Sequence, residues 1–175
     1  MDSLFLIKYS LDNMTGFCIW FTDENEKDGL LCDGKNKILC FADKNTALQY
    51  LAENNLRLHN DEISQYDFDK LAQWINSDDI NVDCVEILNF WNMLTDFAYT
   101  VGVKFKGDRQ NRITRLIYEK LFFGNNIPAS KPKGFTEDYI PDWDLKQINK
   151  IKSVMKNGLD IASSSLTLFN SQSTQ

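Results

Sequence analysis

Residues 4–21 read LFLIKYSLDNMTGFCIWF, and this stretch points most directly to the fold class. The runs 4–9 and 17–21 are rich in aromatic and β-branched side chains, which favour extended structure. Between them, Asn13-Met14-Thr15-Gly16 supplies residue types that are common in turns. The stretch therefore predicts two paired β-strands at the start of the chain.

Two shorter apolar runs follow, Leu30-Leu31-Cys32 and Ile38-Leu39-Cys40-Phe41. The segment between them, 33–37, contains Asp, Gly and Asn in an arrangement typical of a tight hairpin loop. Together with the first pair, these runs predict an antiparallel β-meander of about four strands. We expect its aromatic side chains to form the buried face of the sheet.

The rest of the chain has mainly helical patterns. Aspartates that can cap a helix precede apolar residues at helical spacing at four points: Asp43, Asp67, Asp83, and either Asp142 or Asp144. A further helix is predicted from about 111 to 122, and Gly158 is a natural end for the last helix. All three prolines fall within 128–141, which predicts a connection without regular structure.

The predicted fold class is therefore α+β, with the antiparallel meander packed against a largely α-helical C-terminal part. With 175 residues, 43% of them hydrophobic, the chain can bury a core of its own. Neither a repeat nor a long linker divides it. We expect one domain over residues 1–169 and a frayed polar tail at 170–175.

The net charge of −6 conceals an asymmetry along the chain. Residues 1–100 contain 18 acidic and 7 basic side chains, a net charge of −11, whereas residues 101–175 contain 7 acidic and 12 basic side chains, a net charge of +5. An acidic surface confers solubility, repels nucleic acid and membranes, and favours a basic partner.

Targeting signals are not evident in the sequence. No segment approaches the roughly 20 consecutive apolar residues of a membrane span, and the first residues lack the pattern of a secretory leader. We therefore expect a cytoplasmic protein. The four cysteines are irregularly spaced, which favours reduced packing residues over a disulfide framework or a zinc site.

The motifs of common enzyme chemistry are missing from the sequence. It has no phosphate-binding loop, no dinucleotide-binding glycine pattern, no serine-nucleophile elbow and no H-E-x-x-H motif. The one histidine, His59, has acidic neighbours but no indicated nucleophile. We expect no catalytic residues, no metal site and no cofactor, with a small metal-dependent or His-assisted enzyme as an alternative.

Residues 104–115, KFKGDRQNRITR, are the one stretch that suggests nucleic acid. Phosphate contacts are one interpretation of its arginines and lysines. Internal ion pairs or a mixed-charge surface are the interpretation that the overall acidity favours. We therefore expect no direct binding of nucleic acid.

Clusters of carboxylates are the candidates for a partner-binding surface. Their spacing lacks the alternation and the closing glutamate of a calcium-binding loop. The clusters at 61–69 and 78–86 lie in neighbouring segments and are predicted to form one negative patch, with aromatic side chains as anchors. The candidate partner-binding residues are Asp61, Glu62, Tyr66, Asp67, Asp69, Trp74, Asp78, Asp79, Asp83 and Glu86.

Four segments carry a family resemblance: GFCIWF at 16–21, ILNFWN at 87–92, YEKLFFGNNIP at 118–128 and YIPDW at 139–143. In these segments the chain resembles bacterial contact-dependent growth inhibition immunity proteins. The resemblance implies a cytosolic antidote that binds the C-terminal domain of its cognate toxin one to one, commonly a nuclease, and blocks the active site without doing chemistry. It transfers no catalytic residue. A regulatory adaptor is a further alternative and differs mainly in the identity of its partner.

Overall fold

The structure is a computed structural model that describes residues 3–128 and 137–169. The strands are β1 (Ser3–Leu11), β2 (Met14–Thr22), β3 (Asp28–Leu30), β4 (Ile38–Cys40), β5 (Leu58–Asp67) and β6 (Leu166–Leu168). The helices are α1 (Lys44–Glu53), α2 (Phe68–Asn76), α3 (Cys84–Thr100), α4 (Arg112–Gly124) and α5 (Leu145–Ser165). The predicted tail at 170–175 and most of the predicted connection at 128–141 lie outside the described residues. Within the described ranges, no helix has the length and apolar character needed to cross a membrane.

Strands β1 and β2 form an antiparallel hairpin in which Leu11 pairs with Met14. The two residues between them, Asp12 and Asn13, both have positive φ angles, of 54° and 59°. A two-residue loop with this geometry suits the right-handed twist of the strands, and Asp and Asn tolerate it best after glycine. Gly16, expected in the turn, instead lies inside β2 and pairs with Tyr9.

The α+β class is confirmed, and β1, β2 and β3 pair antiparallel in chain order as predicted, but the sheet also gains a strand that the sequence did not predict. The larger sheet has the order β3-β2-β1-β5, and β5 runs parallel to β1. Strand β4 pairs in parallel with β6, and antiparallel bridges at Cys32–Ile38 and Phe17–Phe41 join it to the predicted meander. Strand β5 is parallel to β1 because α1 carries the chain back across the sheet, so the next strand enters beside β1 in the same direction as β1.

Both faces of the larger sheet are covered. Leu4, Leu6 and Ile19 pack on one face against Ala47 and Leu51 of α1, so α1 caps the sheet as the sequence predicts. The opposite face belongs to a larger apolar cluster with residues of α2, α3, α4 and α5. Helix α3 is central to that cluster, because it packs against α4, α5 and β3.

The helix starts agree with the predicted caps. Asp43, Asp67, Asp83 and Asp144 are the N-cap residues of α1, α2, α3 and α5, and each side chain accepts a hydrogen bond from the backbone of the first turn. All four cysteines are free thiols, and Cys18 is fully buried.

Gly158 is not a helix end, as the sequence suggested, but lies inside α5. It is buried where α5 crosses α3, and a Cβ atom there would lie 2.6 Å from Leu94 Cδ1 and 2.8 Å from Leu94 Cβ. The missing side chain therefore permits close approach of the two helices, which outweighs the low helix propensity of glycine.

We expect Gly158→Val to lower the free energy of unfolding by about 1 kcal/mol. The destabilisation from overpacking against Leu94 is larger than the stabilisation from the higher helix propensity of valine. Chemical denaturation measures the change. Ser153→Val is the matched control, since Ser153 is exposed on the same helix. Equal effects of the two variants would show that the contact with Leu94 is unimportant.

Candidate binding site

A cleft of about 540 Å³ opens between the larger sheet and α3. Side chains of β1, β2 and β5 form its sheet side, and α3 forms the opposite side. The loop after α3 and helix α4 contribute Arg109 and Tyr118 to its lining. The cleft thus collects side chains from seven separate segments, since β3 also contributes Asp28.

Asp96 is the central charged group of the cleft. Helix α3 is otherwise apolar on its buried side, and it directs this carboxyl towards the sheet, where Trp20 Nε1 donates a 2.9 Å hydrogen bond to Asp96 Oδ2. Burial raises the pKa of Asp96 to about 6; the Trp20 hydrogen bond opposes the shift and the nearby Asp28 carboxylate adds to it.

Aromatic rings line the cleft around this carboxyl. The Phe5 and Trp20 ring centroids are 5.4 Å apart, so the two rings form a continuous apolar surface on the sheet. Tyr66 is half-buried at the same face, and its pKa is raised by burial first and by the charge of Asp96 second. Because rings and a carboxyl face one opening, the cleft suits a ligand with apolar and charged parts.

Tyr118 and Arg109 close the cleft on the α4 side. The Tyr118 hydroxyl donates a 2.9 Å hydrogen bond to Asn92 Oδ1, which fixes the ring relative to α3. The Arg109 guanidinium lies over the same ring, 4.4 Å from its centroid. The ring of Trp91, 5.8 Å away and edge-on, supports Tyr118 from the core.

A second, smaller cleft of about 190 Å³ lies between α2 and α3. Trp74 donates a hydrogen bond from Nε1 to the Asn81 carbonyl at 2.9 Å. The Lys152 ammonium lies 5.1 Å from the centre of the Trp74 ring and donates to the Ser77 carbonyl at 2.6 Å. This aromatic group is therefore already partnered by a cation of the chain itself.

The predicted partner-binding residues fall into separate places. The second cleft brings together Trp74, Asp79, Asp83 and Glu86, so the predicted negative patch forms in part. Tyr66 lines the first cleft, Asp61 lines a depression beside α1, and Glu62 and Asp78 are exposed elsewhere.

Several of these carboxylates also have structural roles. Asp67 and Asp83 cap helices, and Asp69 accepts a hydrogen bond from the Asn13 backbone. Asp79 accepts from the Asn81 backbone, and Glu86 forms an ion pair with Lys70 at 2.7 Å. Asp61 and Glu62 form no ion pair within the described part of the chain.

The other sequence candidates have ordinary surroundings. His59 is exposed, and its ring lies 5.2 Å from that of Phe5. In the basic stretch, Arg115 lies 4.0 Å from Glu119, and both side chains are exposed. No group of three or more His, Cys, Asp or Glu side chains with metal-binding geometry occurs among residues 3–128 and 137–169.

Sequence reasoning missed Trp20, Asp28, Asp96, Arg109 and Tyr118. The sequence does distinguish Asp96, because it is the one acidic residue in the second half of an otherwise apolar helix pattern, LTDFAYT at 94–100. The others carried none, because which strand faces which helix is not readable from spacing alone.

Comparison with known proteins bears on the fold alone. No known family model matches this chain, and no curated protein matches it. Among solved structures, the C-terminal domain of SatS in complex with bromine is similar with a TM-score of 0.56, over 95% of this chain and 94% of that chain, at 11% sequence identity. At this identity the similarity establishes a shared arrangement of strands and helices and nothing about activity.

Proposed function

We propose that this chain is an immunity protein that binds the toxin domain of a bacterial growth-inhibition effector one to one and covers its active site. The toxin is commonly a nuclease in the family that the sequence resembles. Inhibition of this kind requires binding and no chemistry by the chain itself. Its natural location is the cytoplasm of the cell that it protects.

The observation that carries the proposal is the exposed acidic edge of the larger sheet. Strand β5 is the outermost strand on one side, and most of its side chains are exposed. Asp61 and Glu62 lie on it without ion-pair partners in the described part of the chain. A nuclease holds its substrate with a basic cleft, so this edge has the charge that complements such a surface.

The same strand leads into the aromatic cleft. Tyr66 lies near the end of β5 and lines that cleft together with Ser64. Partly buried tyrosines at the centre of an interface commonly contribute much of the binding energy, whereas charges at the rim mainly speed association. The acidic edge and Tyr66 thus offer the two kinds of contact that a tight inhibitor needs.

The test is co-purification of the chain with the product of the gene directly upstream, followed by calorimetry in low and moderate salt. We expect one-to-one binding that weakens with salt and abolishes the toxin's activity. The double variant Asp61→Asn/Glu62→Gln should weaken binding about tenfold at low salt, mainly through a slower association rate.

The matched control is Glu24→Gln/Asp160→Asn, which removes the same charge from two exposed positions outside β5. Equal weakening by both double variants would show that net charge, and not the β5 edge, governs association. Binding without inhibition would instead favour a regulatory adaptor, whose gene need not follow a toxin gene.

A further inference from the structure

We propose that the cleft between the larger sheet and α3 binds an alkylated organic cation, a guanidinium or ammonium group on a short carbon chain, with Asp96 as its counter-charge. The ligand is either a free small molecule or an arginine or lysine side chain of a protein partner. Binding of this cation does not require the immunity function, because the residues that line the cleft all belong to this chain.

Within the described part of the chain, the Asp96 carboxylate has free hydrogen-bond acceptor positions. A carboxylate can accept about four hydrogen bonds. Asp96 accepts one, from Trp20 Nε1, within the described residues. No lysine or arginine nitrogen of those residues lies within 4.0 Å of it. Among these residues, the partly buried carboxylate has no cation beside it and accepts few hydrogen bonds. It therefore favours a ligand that supplies a positive charge and N–H donors.

Aromatic rings line the cleft beside this carboxyl. Phe5 and Trp20 form one wall next to Asp96. Aromatic faces attract cations, and arginine guanidinium groups stack on them readily. The alkyl part of the ligand would cover the same rings, which accounts for the combination of apolar and acidic groups in one cleft.

Cations of the chain lie over two half-buried tryptophans outside this cleft. Lys152 lies over Trp74, and Lys120 lies over Trp143 at 4.5 Å. In the large cleft, Arg109 already lies over Tyr118, so that side is occupied by a cation of the chain. The Trp20 side, next to Asp96, has no such cation in the described part of the structure.

The test is a titration of the whole chain with n-butylguanidinium, followed through the indole N–H resonance of Trp20 in nitrogen-15 spectra. That N–H donates to Asp96, so its resonance reports directly on the carboxyl. n-Butylurea has nearly the same shape and no charge. We expect butylguanidinium to shift the resonance with an affinity about tenfold or more above that of butylurea.

The variant Asp96→Asn retains an oxygen that can accept the Trp20 hydrogen bond and removes the charge. We expect it to bind butylguanidinium about tenfold more weakly or not at all, whereas Asp160→Asn, on an exposed face of α5, should bind like the unaltered chain. Equal binding of both probes, unchanged binding by Asp96→Asn, or no shift of the Trp20 resonance at millimolar concentrations would overturn the proposal.

The pH dependence gives a further readout on the unaltered chain. The titratable and charged groups that line the cleft together with Asp96 are Asp28 on β3, Tyr66 on β5, Arg109 in the loop and Tyr118 on α4. Because burial raises the pKa of Asp96 to about 6, butylguanidinium binding should weaken between about pH 7.5 and pH 5 as Asp96 gains its proton. Affinity that is flat over this range would contradict Asp96 as the counter-charge.

The affinity of Asp96→Asn for the toxin distinguishes the two possible sources of the cation. If Asp96→Asn loses butylguanidinium and also loses affinity for the toxin, the natural occupant is a basic side chain of the toxin. If it loses butylguanidinium alone, the occupant is a free small molecule. Since the butylguanidinium titration needs no toxin, failure of the immunity proposal leaves its outcome unaffected.

Discussion

Trp91→Ala is expected to lower the free energy of unfolding by about 4 kcal/mol, the range found when a large buried aromatic is truncated. Trp91 is 1% exposed at the centre of α3, and its Nε1 donates to the Gly107 carbonyl at 3.1 Å. Its ring contacts those of Phe105 and Tyr118 edge-on. Since a domain is stable by about 5–15 kcal/mol in total, the variant should be close to unfolding at 37 °C.

Chemical denaturation of Trp91→Ala and Trp91→Phe separates packing from hydrogen bonding. Phenylalanine keeps most of the ring contacts and loses the bond to Gly107, so we expect it to cost about 2 kcal/mol. A loss of stability for Trp91→Phe equal to that for Trp91→Ala would assign the effect to the hydrogen bond alone.

Asp96→Asn, by contrast, is expected to stabilise the fold at pH 8 by about 2 kcal/mol. The pKa of Asp96 rises from 3.8 to about 6 on folding, mainly through burial. Each unit of such a shift corresponds to about 1.4 kcal/mol, and the partial exposure of the carboxyl reduces the total. Asparagine removes the cost of burying the charge and keeps an acceptor for Trp20.

The stabilisation by Asp96→Asn should depend on pH in a defined direction. Below about pH 3 the carboxyl is protonated in both states, so it carries no ionisation cost. Between about pH 3 and pH 7 the unfolded chain releases this proton before the folded chain does, so the unaltered protein loses stability relative to the variant. Above about pH 7 the carboxyl is ionised in both states, and the difference in stability between the two proteins is constant.

Denaturation of both proteins at a series of pH values measures the difference, and Asp160→Asn serves as the control with a change below about 0.5 kcal/mol throughout. A variant less stable than the unaltered chain at pH 8 would mean that Asp96 is stabilised as an anion in the free protein. If Asp96→Asn is more stable than the unaltered chain and also fails to bind butylguanidinium, the Asp96 carboxyl lowers the stability of the fold but is required for binding. This combination is typical of a binding residue.

Part of the candidate site could be read from the sequence. Charge and residue type predict Asp61, Glu62 and Tyr66 as partner-binding residues, and all three lie on β5. The predicted convergence of Trp74, Asp79, Asp83 and Glu86 follows from the short connection between α2 and α3, which brings both helix ends to one place. Local features of this kind depend on residues close together in the chain.

The large cleft could not be predicted in the same way. Trp20 and Asp96 are 76 positions apart and meet because β2 lies under α3. Asp28 and Arg109 reach the cleft from β3 and from the loop after α3. Each residue alone has an ordinary interpretation as a sheet aromatic or a surface charge, and only their common position gives them a joint role.

The sequence by itself determined the α+β class, the helix caps and the uneven distribution of charge. These depend on periodicity, on hydrogen bonds within one turn and on composition, which are properties of neighbouring residues. The tertiary structure alone decided that β5 lies parallel to β1, that α5 continues through Gly158, and that Asp96 faces a cleft of aromatic rings. These features arise from contacts between distant segments, where packing and burial outweigh local preference.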